Sequence, residues 1–289
     1  MKHMNSAFAV IATIVGLAGI FTMLDVPLRA AMAAASGWAG PSNGRVRLIG
    51  GDVANGPGPA ALYAGIHMKM DEGWKTYWRT PGEAGVPPNF DWAGSTNVKS
   101  ARVLYPAPHR YRDAGLESIG YKGEVMFPVE ITPLDVNVPV DLKLAVTFGV
   151  CKDICIPVDA SLAVTIKTGQ AAGADAAAAI GAFLAQVPRR DEASNPRLVK
   201  VTAALGAVPP RLTIDALFPN SAEGADLFIE ADDGGYVPLP TRVASSAGGA
   251  VRFEVNLGTP EDAKRLAGRE LTLTFVGSAG QSERVVRLP

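Results

Sequence analysis

The chain has 289 residues, 48% of them hydrophobic, with 27 Lys and Arg against 28 Asp and Glu for a formal net charge of −1. That length suits two domains of about 100–150 residues each, and the composition excludes an intrinsically disordered polypeptide. The dispersed, nearly balanced charge provides neither a nucleic-acid footprint nor a polybasic membrane patch.

The amino terminus has the parts of an export signal. Lys2 and His3 precede an apolar stretch from Ala7 to Leu24, and small residues follow at Ala31, Ala33, Ala34 and Ala35. We expect a signal peptide over residues 1–35, cleaved in the periplasm. The apolar stretch, about 18 residues, is also long enough to serve as an amino-terminal membrane anchor if it is retained.

From Arg45 to about Thr168 the apolar residues alternate in short runs separated by Gly and Pro. Strands are expected at Arg45–Ile49, Ala61–Met70, Trp74–Thr80, Val98–Tyr105, Val125–Ile131, Asp141–Val150 and Ser161–Lys167. Thr80–Pro88 reads as a turn-rich loop. This pattern predicts an immunoglobulin-like β-sandwich over residues 36–168. An alanine-rich run, Gln170–Gln186, then predicts a helix that Pro188 stops, and residues 169–196 form a helix and linker. Further alternation at Leu198–Ala203, Arg211–Leu217, Leu227–Ala231, Val251–Leu257, Leu271–Val276 and Arg284–Leu288 predicts a second, smaller β domain over 197–289. Within it, Thr259-Pro260-Glu261-Asp262 is a helix start and Gly268 a helix stop. The fold class is all-β.

Chemistry concentrates at the two cysteines, Cys151 and Cys155. In an oxidising compartment two cysteines four positions apart can form one bridge and no framework. Alternation along Asp141–Val150 sets Leu142, Leu144, Val146, Phe148 and Val150 on the core face and Cys151 on the solvent face with Lys143 and Thr147. Continued strand would hold the two cysteines roughly 13 Å apart, whereas a disulfide needs Cα atoms within about 4.4–6.8 Å. The chain must therefore bend at Lys152-Asp153-Ile154, and Pro157 suits an interrupted ladder there. A loop of about five residues stabilises by only about 2 kcal/mol, so a purely structural bridge gains little. The favoured use is thiol–disulfide exchange; a structural clip and a metal ligand remain the alternatives.

Other constellations are weaker. His67, Met68 and Met70 carry donors suited to copper(I), but alternation puts the two Met on one face and His67 on the other. A Cys–His hydrolase lacks an orienting third group. Pro81–Gly85 lacks the Gly-Lys-Ser/Thr ending of a phosphate loop. Tyr77 alternates away from Trp74 and Trp78 and is a candidate for lining the thiol site. We expect no cofactor and no resident metal, with a copper(I)-handling protein or an exported binding module as the alternative functions.

Gly73-Trp74-Lys75-Thr76-Tyr77-Trp78-Arg79, Pro81-Gly82, Pro87-Pro88, Ile119-Gly120-Tyr121 and Val150-Cys151-Lys152-Asp153-Ile154-Cys155-Ile156-Pro157 together resemble the amino-terminal periplasmic domain of the DsbD group. They are more similar still to its ScsB (suppressor of copper sensitivity) branch. The resemblance covers about residues 40–168 well and the later β domain loosely. It implies an immunoglobulin-like domain that takes electrons from a thioredoxin-like domain or a DsbD/ScsB-type membrane reductase and passes them to periplasmic disulfide-containing clients. It also implies that Cys155 forms the mixed disulfide and Cys151 resolves it. Tyr77 falls beside the site, and His109–Tyr121 falls where the family has a capping loop, with Tyr111, Leu116 or Tyr121 as the shielding group. The three-residue spacing between the cysteines departs from the longer interval of the better-known DsbD domain. No membrane or thioredoxin-like portion is present, so a separate donor is expected.

Overall fold

The alternation runs further than the sequence pattern alone indicates. The computed structural model describes residues 35–51, 62–113, 115–167, 173–219, 221–246 and 248–289. Apart from Ala35, the expected signal segment lies outside the described residues.

The first sandwich has two antiparallel sheets. One has the order β1 (Gly44–Gly51), β2 (Leu62–Met70), β8 (Glu124–Pro133), β5 (Val98–Val103). The other has the order β10 (Cys155–Ile166), β9 (Val140–Cys151), β3 (Lys75–Gly82), β7 (Leu116–Lys122), β6 (His109–Asp113), with β4 (Asn89–Asp91) also paired to β9. Between them lie Leu48, Ile66, Met68, Trp78, Phe127, Leu142, Phe148 and Val150, all nearly or fully buried. These are the alternate positions expected to face inward.

Helix α1 (Ala174–Leu184) is shorter than the predicted run, part of which, residues 170–172, lies outside the described residues. It does not stand free as a linker. Its Ile180 packs on Tyr63 and Met126 of the outer face of the β1-β2-β8-β5 sheet, which explains why β2 is buried on both faces.

Beyond it, sheets β11 (Arg197–Ala204), β12 (Arg211–Leu217), β15 (Ala250–Asn256), β14 (Thr241–Ser245) and β13 (Asp226–Ala231), β16 (Glu270–Gly277), β17 (Gly280–Arg287) enclose a second core. Helix α2 (Pro260–Leu266) starts as the sequence predicts. Thr259 Oγ1 accepts from the Asp262 N–H while the Asp262 side chain accepts from the Thr259 N–H, a reciprocal capping box.

Strand β13 joins the two cores by parity. Leu227 and Ile229 enter the second core, while Phe228 enters the first, 5.7 Å from the Trp78 ring. Flanking Phe228, Asp226 pairs with Arg110 at 2.7 Å and Glu230 with Arg79 at 2.6 Å. Glu283 of β17 adds a second carboxylate to Arg79 at 2.5 Å. Everything described therefore belongs to one compact unit.

Four strands escape the pattern reading. β4 has only three residues, β14 is exposed throughout, and β6 and β7 carry little apolar alternation. The segment expected as a capping loop, His109–Tyr121, is instead the β6–β7 hairpin, fully paired from His109↔Gly120 to Asp113↔Leu116.

Candidate functional site

The cysteines close the tip of a long hairpin. β9 and β10 pair without a register break from Val140↔Ile166 to Cys151↔Cys155. The turn is Lys152-Asp153-Ile154, closed by the Lys152 N–H donating to the Ile154 carbonyl at 3.0 Å. Direct opposition across the ladder brings the two Cα atoms to 4.1 Å, and the sulfurs are bonded. The bend thus lies where the spacing requires it. Pro157 interrupts nothing: it pairs with Gly149 on β10, an edge strand, where the missing N–H is tolerated.

One expectation is corrected. Cys151 does share the outward face with Lys143 and Thr147, yet it is only 3% exposed. Asp141 to Thr147 look out to solvent on this face, whereas Gly149 and Cys151 are covered. The Tyr77 ring lies over Gly149, 3.7 Å from where a Cβ would stand, and Cys151 is flanked by β3 on one side and β10 on the other. Cys155 is exposed, and its neighbour Ile154 is 65% exposed. The two sulfurs of one bond therefore sit in different environments.

Strand parity sorts the other candidates. Lys75 and Tyr77 share the cysteine face because Lys75 opposes Cys151. Opposite them come Lys122 and Gly120 of β7, and then Ser118 and Leu116 by alternation. Tyr111 and Asp113 of β6 pair with those last two. The Tyr77 hydroxyl reaches Cys155 Sγ at 3.7 Å, and burial, followed by the nearby Asp113 carboxylate, pushes its phenol upward. Tyr111 is half-buried under Lys122, whose Nζ is 4.4 Å from the ring centroid. Leu116 is 51% exposed across from Asp113.

Tyr121 has the other parity and is not brought to the cysteines. It is buried, packs edge-on against Phe127, and donates its hydroxyl to the Pro106 carbonyl at 2.8 Å. The chain segment lying over Tyr77 is instead the loop after β3. Gly85 comes so near that a Cβ there would be 2.3 Å from the ring, and Val86, 59% exposed, borders the same spot.

Sequence reasoning missed Lys75. It is buried beside Cys151, donating from Nζ to Asp113 Oδ2 at 2.5 Å and to Ser118 Oγ at 2.7 Å. That hydrogen bond, with the lysine charge, holds the Asp113 carboxyl below the usual range. A cavity of about 580 Å³ adjoins Cys151, lined by Gly73, Lys75, Lys122 and Lys152 among others. Its position two residues before Tyr77 was the available signal, but the strand register that places it opposite Cys151 was not.

The copper donors do not converge. Met68 and Met70 lie in the core, while His67 faces away with both ring nitrogens engaged, by Arg47 Nε at 3.2 Å and Glu124 Oε1 at 2.5 Å. For the disulfide itself, a closed loop of about five residues stabilises by about 2 kcal/mol. Urea unfolding with and without reductant should differ by that amount, and a loss beyond about 4 kcal/mol would mean the bridge holds more than its own turn.

Residues 60–167 match the family model described as "Thiol:disulfide interchange protein DsbD, N-terminal". The crystal structure of the N-terminal periplasmic domain of ScsB from Proteus mirabilis shares the fold, at TM-score 0.65 and 23% identity over 89% of this chain and 98% of that one. A search of curated proteins found no match. The family match supports thiol–disulfide interchange as a general class of chemistry, and the solved structure supports the architecture. Over residues 60–167, with its paired cysteines on an immunoglobulin-like sandwich, this chain is similar to the amino-terminal domain of the thiol:disulfide interchange protein DsbD, and it shares its fold with the ScsB domain.

Proposed function

We propose that the chain is a periplasmic electron carrier, exported by its amino-terminal segment and either released or singly anchored. In this reading it accepts electrons from a thioredoxin-like domain or a DsbD/ScsB-type membrane reductase and hands them to oxidised clients. The observation that carries this reading is the asymmetry of the bond: exposed Cys155 joined to buried Cys151.

Attack is then confined to one sulfur. A donor thiolate bonds to Cys155 Sγ, the Cys151–Cys155 bond breaks, and its electron pair leaves on Cys151. A second donor thiol displaces Cys155, leaving the donor oxidised and this chain as a dithiol. In the other half-cycle Cys155 attacks a client disulfide and Cys151 resolves the mixed species. The exposed apolar side chains Ile154 and Val86 near the exposed sulfur suit a partner surface that docks transiently. The division into residues 36–168 and 197–289 assigns this chemistry to the first part.

A Cys151→Ala variant in living cells should accumulate mixed disulfides through Cys155, visible as reductant-sensitive adducts on non-reducing gels. Absence of any adduct would remove the relay. A reduction potential below about −300 mV would favour a structural clip instead.

A further inference from the structure

Breaking the bond at Cys155 creates a charge in an awkward place. The electron pair departs on Cys151 Sγ, and Cys151 is 3% exposed. A buried anion without a compensating partner is costly. The leaving thiolate needs a cation or a donor on its own face of the sheet.

Lys75 is the cross-strand partner of Cys151, so the two side chains rise from the same face with Cβ atoms about 4.5–5.5 Å apart. The lysine is itself buried and borders the same cavity. An ammonium has three donors. Asp113 Oδ2 and Ser118 Oγ take two of those on Lys75, which leaves a third. The other charged groups around the cavity are Lys122 of β7, Arg112 and Asp113 of β6, and Lys152 and Asp153 of the hairpin turn. With Lys75 they make four cations against two carboxylates, and the Tyr77 phenol completes the surroundings.

We propose that Lys75 stabilises the thiolate leaving at Cys151, with Asp113 and Ser118 positioning its ammonium and Asp113 tempering its charge. This rests on the exchange chemistry above and names the residue that makes buried Cys151 a competent leaving group. No additional redox partner is required: the attacking thiolate supplies the electron pair, one S–S bond forms as another breaks, and Lys75 acts only through its charge and hydrogen bonding.

The test uses the full chain and dithiothreitol as the probe. In a Cys155→Ser background, ultraviolet absorbance of the thiolate gives the titration midpoint of Cys151 alone. Lys75→Met should raise that midpoint by about one unit or more. With both cysteines present, the same variant should slow reduction by dithiothreitol severalfold, because a leaving thiol of higher pKa departs more slowly. Lys75→Arg should restore most of both effects. Asp113→Asn should move the midpoint the opposite way, downward, because the ammonium then faces the sulfur untempered.

The opposite signs separate electrostatics from a structural role, which would shift both variants alike. A folded Lys75→Met protein with unchanged midpoint and rate would overturn the proposal. If Lys75→Met does not fold, an Asp113→Asn midpoint that stays or rises would overturn it. Because dithiothreitol replaces the natural donor, these outcomes are independent of whether partner adducts form in cells.

Discussion

An Arg79→Met variant is expected to lose about 3–5 kcal/mol of stability, the cost of breaking a buried ion pair from one side. Arg79 lies over Trp78, its Cζ 4.3 Å from the ring centroid, and meets Glu230 through Nε and Nη2 together. Its Nη2 also donates to Glu283 at 2.5 Å, and the Glu283 side chain is only 4% exposed. Thr80 supplies one further bond to Glu230 at 2.9 Å. Methionine fills much of the space but leaves two carboxylates short of their partner, with Glu283 retaining the Thr274 hydroxyl at 3.4 Å and the largely exposed Arg190.

The pH dependence gives this prediction a second edge. Burial raises the Glu283 carboxyl, but the charge and hydrogen bond of Arg79, with Arg190 behind them, more than offset it and hold the group below the usual carboxylate range. A depressed carboxyl contributes stability above its unfolded pKa, about 4.3, and loses that contribution as pH falls through the folded value. Without Arg79, burial dominates and Glu283 is held up instead. The deficit of the variant should therefore be full at pH 7 and contract progressively below about pH 4, as Glu283 is protonated first in the variant and only at lower pH in the parent. Urea unfolding at the two pH values measures this, and an equal deficit at both would assign the loss to packing on Trp78. Adding Glu283→Gln to the variant should recover part of the loss at pH 7.

Gly120→Ala carries the second large effect. Gly120 stands opposite Tyr77 on β3, and a Cβ there would lie 2.0 Å from the Thr76 carbonyl oxygen. No side-chain rotation relieves a clash with backbone, so β3 and β7 must part. We expect a loss of about 3 kcal/mol, at the upper end of overpacking costs. The same separation would move Lys75 and Tyr77 away from the cysteines, so dithiothreitol should reduce the variant at a changed rate. A stable variant with the parental rate would show that the two strands can yield here without disturbing the site.

Gly120 also shows where reading the chain succeeds and where it stops. Ile119-Gly120-Tyr121 is visible as a motif, but its physical reason is a close strand approach, and that requires the register. The same holds for Lys75, unremarkable in the sequence and decisive once opposed to Cys151. Alternation alone was enough for the core strands of the first sandwich, for the bend between the cysteines and for turning Tyr77 outward. It also carries the information that Tyr121 differs in parity from Leu116, though only once β7 is recognised as a strand. Burial of Cys151 was not legible, because what covers this end of the face comes from β3 and its following loop, not from β9. Strand β13 reads as ordinary alternation; that its polar positions grip another sheet follows only from which element packs behind it.

The hairpin that carries the two sulfurs has a consequence for the timing of the cycle. Its ladder runs from Val140 to Cys151 without a slip, so opening the bond leaves both thiols facing each other across a frame that other contacts maintain. Re-closure needs no chain search, and the local concentration of one sulfur at the other stays high, which favours rapid resolution of any mixed species. The two oxidation states should then have nearly the same outline. A partner telling them apart would have to sense the sulfurs themselves rather than a change of shape.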